Sequence, residues 1–305
     1  MLKRHFIFPL LFLVLMTAAR AAEADGDAVM RAPFGGSEIV VTTTARLAGA
    51  IHSVTWRGKE FIDSADHGRQ LQSASSFDNS ATAPPETFNP TEAGSRDDGA
   101  GPRPTSRLLE ISARGGELRT RAQMAFWLTP GERSGGVLAR NTTALSEHLL
   151  AKQVRIGLPG LPNVLDYTVT FTLPAGEPHA TVQFEALTGY MPSEFARFWR
   201  LNPVTKKLEP LSEGPGEQRD PVAFSTADGA YAMGIIAPAP APVGSSGPGY
   251  GRFIFAQEKV VKWNCVFRVR AADGVLKAGD YRYRMLVPIG TLADVEAALV
   301  KLAGE

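Results

Sequence analysis

The residues with the most chemical capacity sit in one polar run, Asp66-His67-Gly68-Arg69-Gln70-Leu71-Gln72. The segment after it is poor in large apolar residues and ends in Phe88-Asn89-Pro90-Thr91-Glu92-Ala93-Gly94. Burying such polar groups without partners costs roughly 2–7 kcal/mol each. They therefore either satisfy one another or face a polar ligand, for which a sugar is a natural candidate. His67 could act as acid or base, or it could be a histidine bonded to Asp66 at a strand start. Arg69 offers a planar fork for a carboxylate or for vicinal hydroxyls, and equally for a salt bridge to Glu92 or Asp66. Strand alternation sets Gln70 and Gln72 on one face as hydrogen-bonding groups.

Two carboxylates stand out as a catalytic pair. Glu92 follows Asn89-Pro90, where proline fixes the chain direction and Asn89 can orient a ligand. Glu185 lies in Val182-Gln183-Phe184-Glu185-Ala186-Leu187, where alternation turns it away from Val182 and Phe184. Carboxylates flanking a groove suit glycoside hydrolysis, by retention at roughly 5–5.5 Å separation and by inversion at roughly 6.5–9.5 Å. Tyr190 and Trp199, with Phe195 and Phe198 nearby, could stack on sugar rings; the alternative for such residues is core packing. Lys262 and Trp263 are a further candidate for the same face. In a lyase, His67 or Tyr190 would serve as base and Arg69 would neutralise a uronate.

The elements that position these residues are overwhelmingly strands. Short alternating runs recur at 38–44, 50–56, 108–113, 117–124, 149–158, 164–173, 181–187, 221–225, 231–236, 253–256, 259–270 and 281–287. Gly115-Gly116 and Asp228-Gly229 are hairpin signals. One helix is expected at the end, with Thr291 and Asp294 as its capping box and Leu292, Val295, Leu299 and Leu302 as its apolar stripe. This pattern predicts an all-β fold, one large antiparallel β-sandwich over residues 22–305 with a C-terminal helix. Long loops are expected at 73–106 and 237–251.

Residues 1–21 read as a signal peptide: Lys3 and Arg4, an apolar run from Phe6 to Met16, and Ala19-Arg20-Ala21 as cleavage site. The run is shorter than the roughly 20 residues of a spanning helix, so no stable membrane anchor is expected after cleavage. The expected location is periplasmic or secreted. The formal charge is +1, and losing Lys3, Arg4 and Arg20 gives 1 − 3 = −2. That balance offers no electrostatic case for nucleic acid. Cys265 is the single cysteine, so no internal disulfide forms, and its apolar surroundings predict a buried thiol. The five histidines are scattered without zinc spacing, and phosphate-loop, dinucleotide and Gly-x-Ser-x-Gly patterns are missing. No metal and no cofactor is expected.

The run Leu47-Ala48-Gly49-Ala50-Ile51-His52-Ser53-Val54-Thr55-Trp56-Arg57-Gly58-Lys59-Glu60-Phe61 resembles the opening of the galactose mutarotase-like β-sandwich group of carbohydrate-active proteins. That group starts with a Gly-x-Ile, a strand and a polar-Gly-Lys-Glu turn. The resemblance covers about a fifth of the chain and implies the supersandwich fold. The Asn-His-x-Tyr strand and the C-terminal glutamate motif of mutarotases are missing here, so no catalytic residue is carried over. Sugar mutarotases, epimerases, hydrolases and lyases share this fold, and function does not follow from it. The expectation is an exported carbohydrate-active enzyme, a glycoside hydrolase first. Its catalytic residues would be Glu92, Glu185 and His67, with Arg69, Gln70, Gln72, Asn89, Tyr190 and Trp199 binding substrate. The alternatives are a lyase or epimerase, or a non-catalytic glycan-binding envelope protein.

Overall fold

The computed structural model describes residues 25–304 apart from 81, 239, 240, 242 and 243; the expected signal peptide lies outside the described residues. Two antiparallel layers face each other. In neighbour order, the first contains Ala28–Phe34, Ser37–Thr44, Ala50–Trp56, Leu71–Phe77, Thr181–Pro192, Val260–Arg270 and Ser245–Phe255, with Gly216–Gln218 at its edge. The second runs through Arg107–Arg114, Glu117–Phe126, Leu145–Leu158, Leu161–Leu173 and Gly279–Gly290. It continues through Ala232–Ile235, Val222–Ser225, Arg197–Asn202 and Lys207–Pro210. The two-residue strand Pro90–Thr91 ties the layers, pairing Thr91 with both Ala74 and Ala125.

Period-two alternation builds the core between the layers. Ile39, Val41, Val54, Phe184 and Trp263 point in from the first layer, and Leu118, Val154, Tyr167, Phe171 and Met285 from the second. Cys265 is buried and free, a small apolar residue in this core as expected. The helix Leu292–Leu302 forms with Thr291 and Asp294 as a reciprocal capping box. Val295, Leu299 and Leu302 bury against Leu201, Ala223 and Leu286, making a second, smaller core.

Two loop boundaries differ from expectation. Residues 73–77 belong to the strand Leu71–Phe77, in which all seven residues are buried, so hydrophobic alternation is hidden behind serines. Residues 245–251 belong to the strand Ser245–Phe255, held by pairing with Val260–Arg270 despite its glycines and proline. The strand Ala28–Phe34 was not anticipated.

Candidate functional site: a cleft on the outer face of the first layer

A cavity of about 610 Å³ opens on the face of Leu71–Phe77, Thr181–Pro192 and Val260–Arg270 that points away from the core. Gln72, Ala74 and Ser76 alternate onto this face from the first of these strands, while Leu71 and Phe77 point into the core. The middle strand contributes Glu185 and Tyr190, which an uninterrupted strand would place on opposite faces. A bulge between Glu185 and Leu187 absorbs one residue and turns both toward the cleft. Lys262, directly opposite Tyr190 on the third strand, completes the floor.

These three side chains form one electrostatic unit. Lys262 Nζ lies 3.0 Å from Glu185 Oε2. The ammonium also sits over the rings of Tyr190, 5.2 Å from its centroid, and Phe253, at 5.4 Å. Thr188 Oγ1 donates to Glu185 Oε2 at 2.8 Å. Burial alone would raise the Glu185 pKa, but Lys262 and these hydrogen bonds outweigh it and hold the carboxyl below its ordinary range. Lys262 is held above its ordinary range, because the attraction of Glu185 and Tyr190 outweighs burial. Both groups are therefore charged at neutral pH. Phe255 stacks beside Tyr190 at 6.3 Å and beside Phe253 at 6.5 Å, a row of rings along one wall.

Arg69 lines the opposite side and is already paired: Nη2 lies 2.8 Å from Asp66 Oδ2 and Nη1 3.5 Å from Asp63 Oδ1. Trp127 forms a wall by lying on Gly68, where an added Cβ would stand 2.5 Å from the indole. Asn89 is held by donating Nδ2–H to the Ser75 carbonyl at 2.5 Å. The charged lining residues are Asp66, Glu86, Glu185 and Glu258 against Arg69 and Lys262, a balance of 2 − 4 = −2.

The structure brings Glu185, Arg69, Gln72, Asn89 and Tyr190 to this one cleft. The expected pairing of Glu92 with Glu185 does not form. Glu92 is 1% exposed on the core side of the Leu71–Phe77 strand, ion-paired with Lys152 and accepting Ser73 N–H at 3.1 Å. His67 is 1% exposed, with Nδ1 and Nε2 each 2.8 Å from a main-chain carbonyl oxygen, Gly99 and Arg46 respectively. No ring nitrogen remains for a substrate. Gln70 is fully buried, donating to the His67 carbonyl at 3.1 Å and to Gln72 Oε1 at 2.5 Å. It holds Gln72 rather than a ligand. Trp199 packs by the C-terminal helix and donates Nε1–H to Ser225 Oγ at 3.0 Å, away from the cleft. Phe195 and Phe198 are core residues, and Trp263 is fully buried beneath Gly189.

Sequence reasoning missed Trp127, Phe255, Glu258 and Glu86. Trp127 and Phe255 each end an apolar strand run, a weak signal, and the two glutamates carry none. Among the described residues, no three His, Cys, Asp or Glu side chains group as metal ligands, and no helix is long and apolar enough to cross a membrane.

Comparison with protein families and with curated proteins finds no match. Among solved structures, a protein of Synechocystis aligns over 92% of this chain and 100% of its own, at 10% identity and TM-score 0.44. A Klebsiella pneumoniae protein named for aldose 1-epimerase aligns over 90% and 87%, at 12% identity and TM-score 0.44. The family 36 α-galactosidase AgaB of Geobacillus stearothermophilus aligns over 88% of this chain, at 9% identity and TM-score 0.44. This chain spans 42% of that enzyme's length. None of these matches assigns a role to a residue of this chain.

Proposed function

We propose that this is an exported carbohydrate-binding protein whose cleft holds a neutral or amino sugar. The observation that carries the reading is the floor of the cleft, where Lys262 lies between Glu185 and the rings of Tyr190 and Phe253. Aromatic faces beside fixed, oriented polar groups are what a sugar ring with its hydroxyls requires. The lining balance of −2 and the commitment of Arg69 to two aspartates disfavour uronates, which are anionic. The test is titration calorimetry of the chain from residue 22 with neutral, amino and uronic oligosaccharides. Binding to the first two classes, weakened at least tenfold by Tyr190→Ala, is expected. A preference for uronates that Tyr190→Ala weakens, or no binding by any neutral or amino sugar, overturns it.

A hydrolase reading rests on Glu185, whose side chain is 24% exposed at the cleft floor and held ionised. An ionised carboxylate suits nucleophile or base, and the acid would then come from the rim as Glu86 or Glu258. Mass spectrometry of the same incubations separates the two readings. Intact oligosaccharides support binding alone, whereas shortened chains that gain water, lost in Glu185→Gln, establish hydrolysis.

A further inference from the structure

On the other side of the molecule, the outer face of the second layer has a groove of about 640 Å³. Strand register explains its shape. Arg121, Ala151, Thr170 and Arg282 lie side by side across four adjacent strands, and Arg119, Gln153, Thr168 and Arg284 form the next row. Arginines thus stand on the outer two strands and short side chains on the inner two. The arginine-bearing strands are three spacings apart, roughly 14 Å, and arginines in successive rows are two residues apart, roughly 7 Å. The result is a trough running along the strands with two cationic walls and a floor of hydroxyl, amide and methyl groups.

The arginine partners are carboxylates, of which Glu110 is 71% exposed, Asp166 19% and Glu117 11%, the last also accepting Gln153 Nε2–H at 2.6 Å. Arg119 meets Glu117, Arg121 meets Glu110 at 3.4 Å, and Arg284 meets Asp166 at 2.7 Å. The arginine ends are open, with side chains 65%, 46% and 47% exposed, so their guanidinium groups can also reach a ligand's oxyanions. Arg282 is exposed at the groove and has no partner among the described residues. We propose that this trough binds an extended anionic glycan, its sulfate or carboxylate groups on the arginine walls and its hydroxyls on Gln153, Thr168 and Thr170. Guanidinium forks suit planar and tetrahedral oxyanions alike. The lining contains no aromatic side chain on which a nucleobase could stack, and only Ile111 and Ala151 are apolar, too little to seat in a membrane.

The experiment is surface plasmon resonance of the chain from residue 22 over immobilised dextran sulfate, with neutral dextran as reference. Binding to dextran sulfate in excess of that to neutral dextran, with the excess falling as salt is added, is expected. Arg121→Ser with Arg282→Ser should weaken it at least tenfold, while the lysine versions of both keep most of it. Glu185→Gln, in the opposite cleft, should leave it unchanged. Matching thermal unfolding curves establish that the serine variant is folded. Undiminished binding by the folded serine variant overturns the proposal, as does binding confined to phosphatidylglycerol vesicles or single-stranded DNA.

Discussion

Glu92 and Lys152 are the most consequential charged residues outside the cleft. Their side chains are 2% and 0% exposed, and Lys152 also donates to the Gly49 carbonyl at 3.3 Å. Removing one partner strands the other charge in the core, which costs about 3–5 kcal/mol. Lys152→Met is therefore expected to lower the unfolding free energy by about that amount in urea denaturation; a loss below about 1 kcal/mol would show that the pair relaxes to solvent. A second network of histidines and carboxylates has a pH signature. His179 Nδ1 meets Asp78 Oδ2 at 2.7 Å, and Glu177 Oε2 lies 2.7 Å from His148 Nε2 and 3.4 Å from His179 Nε2. For His179, burial favours the neutral ring, but Glu177 and Asp78 outweigh it and raise the pKa above 6.5. That contribution is complete below pH 6.5 and is lost as pH rises through the raised value. For Glu177, burial is likewise outweighed, by the two histidines, and its pKa falls to about 2. Its contribution is present above pH 4.5 and lost as pH falls toward 2. Stability measured against pH should thus decline on both sides of a slightly acidic maximum, and His179→Phe should remove the decline on the alkaline side.

At the scale of the element, glycines decide two contacts that hold neighbouring pieces in place. Gly68 accepts the Trp127 indole, so Gly68→Ala should displace that cleft wall and weaken sugar binding with little change in unfolding temperature. Gly234 lies under the helix, where a Cβ would stand 2.9 Å from Val295 Cγ1 and 3.2 Å from Leu299 Cδ1. Gly234→Val should lift Leu292–Leu302 from the sheet, read as a loss of helical circular dichroism and of stability. Thr291→Ala is milder, removing a cap for about 1 kcal/mol. The Glu185–Leu187 bulge works at this scale too, because one inserted residue places Tyr190 beside Glu185 and opposite Lys262.

Across the whole molecule, the Gly279–Gly290 strand joins the two cores. Met285 and Val287 enter the larger one, and Leu286 on the other face enters the smaller. With the layers also tied through Pro90–Thr91, the chain should unfold in one cooperative step. Coincident denaturation curves from tryptophan fluorescence and far-ultraviolet circular dichroism check this; separated midpoints would show that the helix-covered core melts independently. Charge is also distributed at this scale, with a cleft whose lining carries −2 on one side and an arginine-walled trough on the other.

The sequence by itself determined the strand-dominated fold, most hairpins and the capped C-terminal helix, because alternation, turn glycines and capping residues act over a few positions. It also singled out six residues that line the cleft: Glu185, Tyr190, Arg69, Gln72, Asn89 and Lys262. It could not tell them from Glu92, His67, Gln70 and Trp199, which are the same residue types in similar local patterns. Tertiary structure alone decided that difference. Glu92 faces Lys152 from a strand 60 positions away, His67 is closed by the carbonyls of Gly99 and Arg46, and the bulge beyond Glu185 shifts the face that Tyr190 shares. Which side of a sheet a polar side chain occupies, and what meets it there, depends on register between distant strands, information that no local pattern contains.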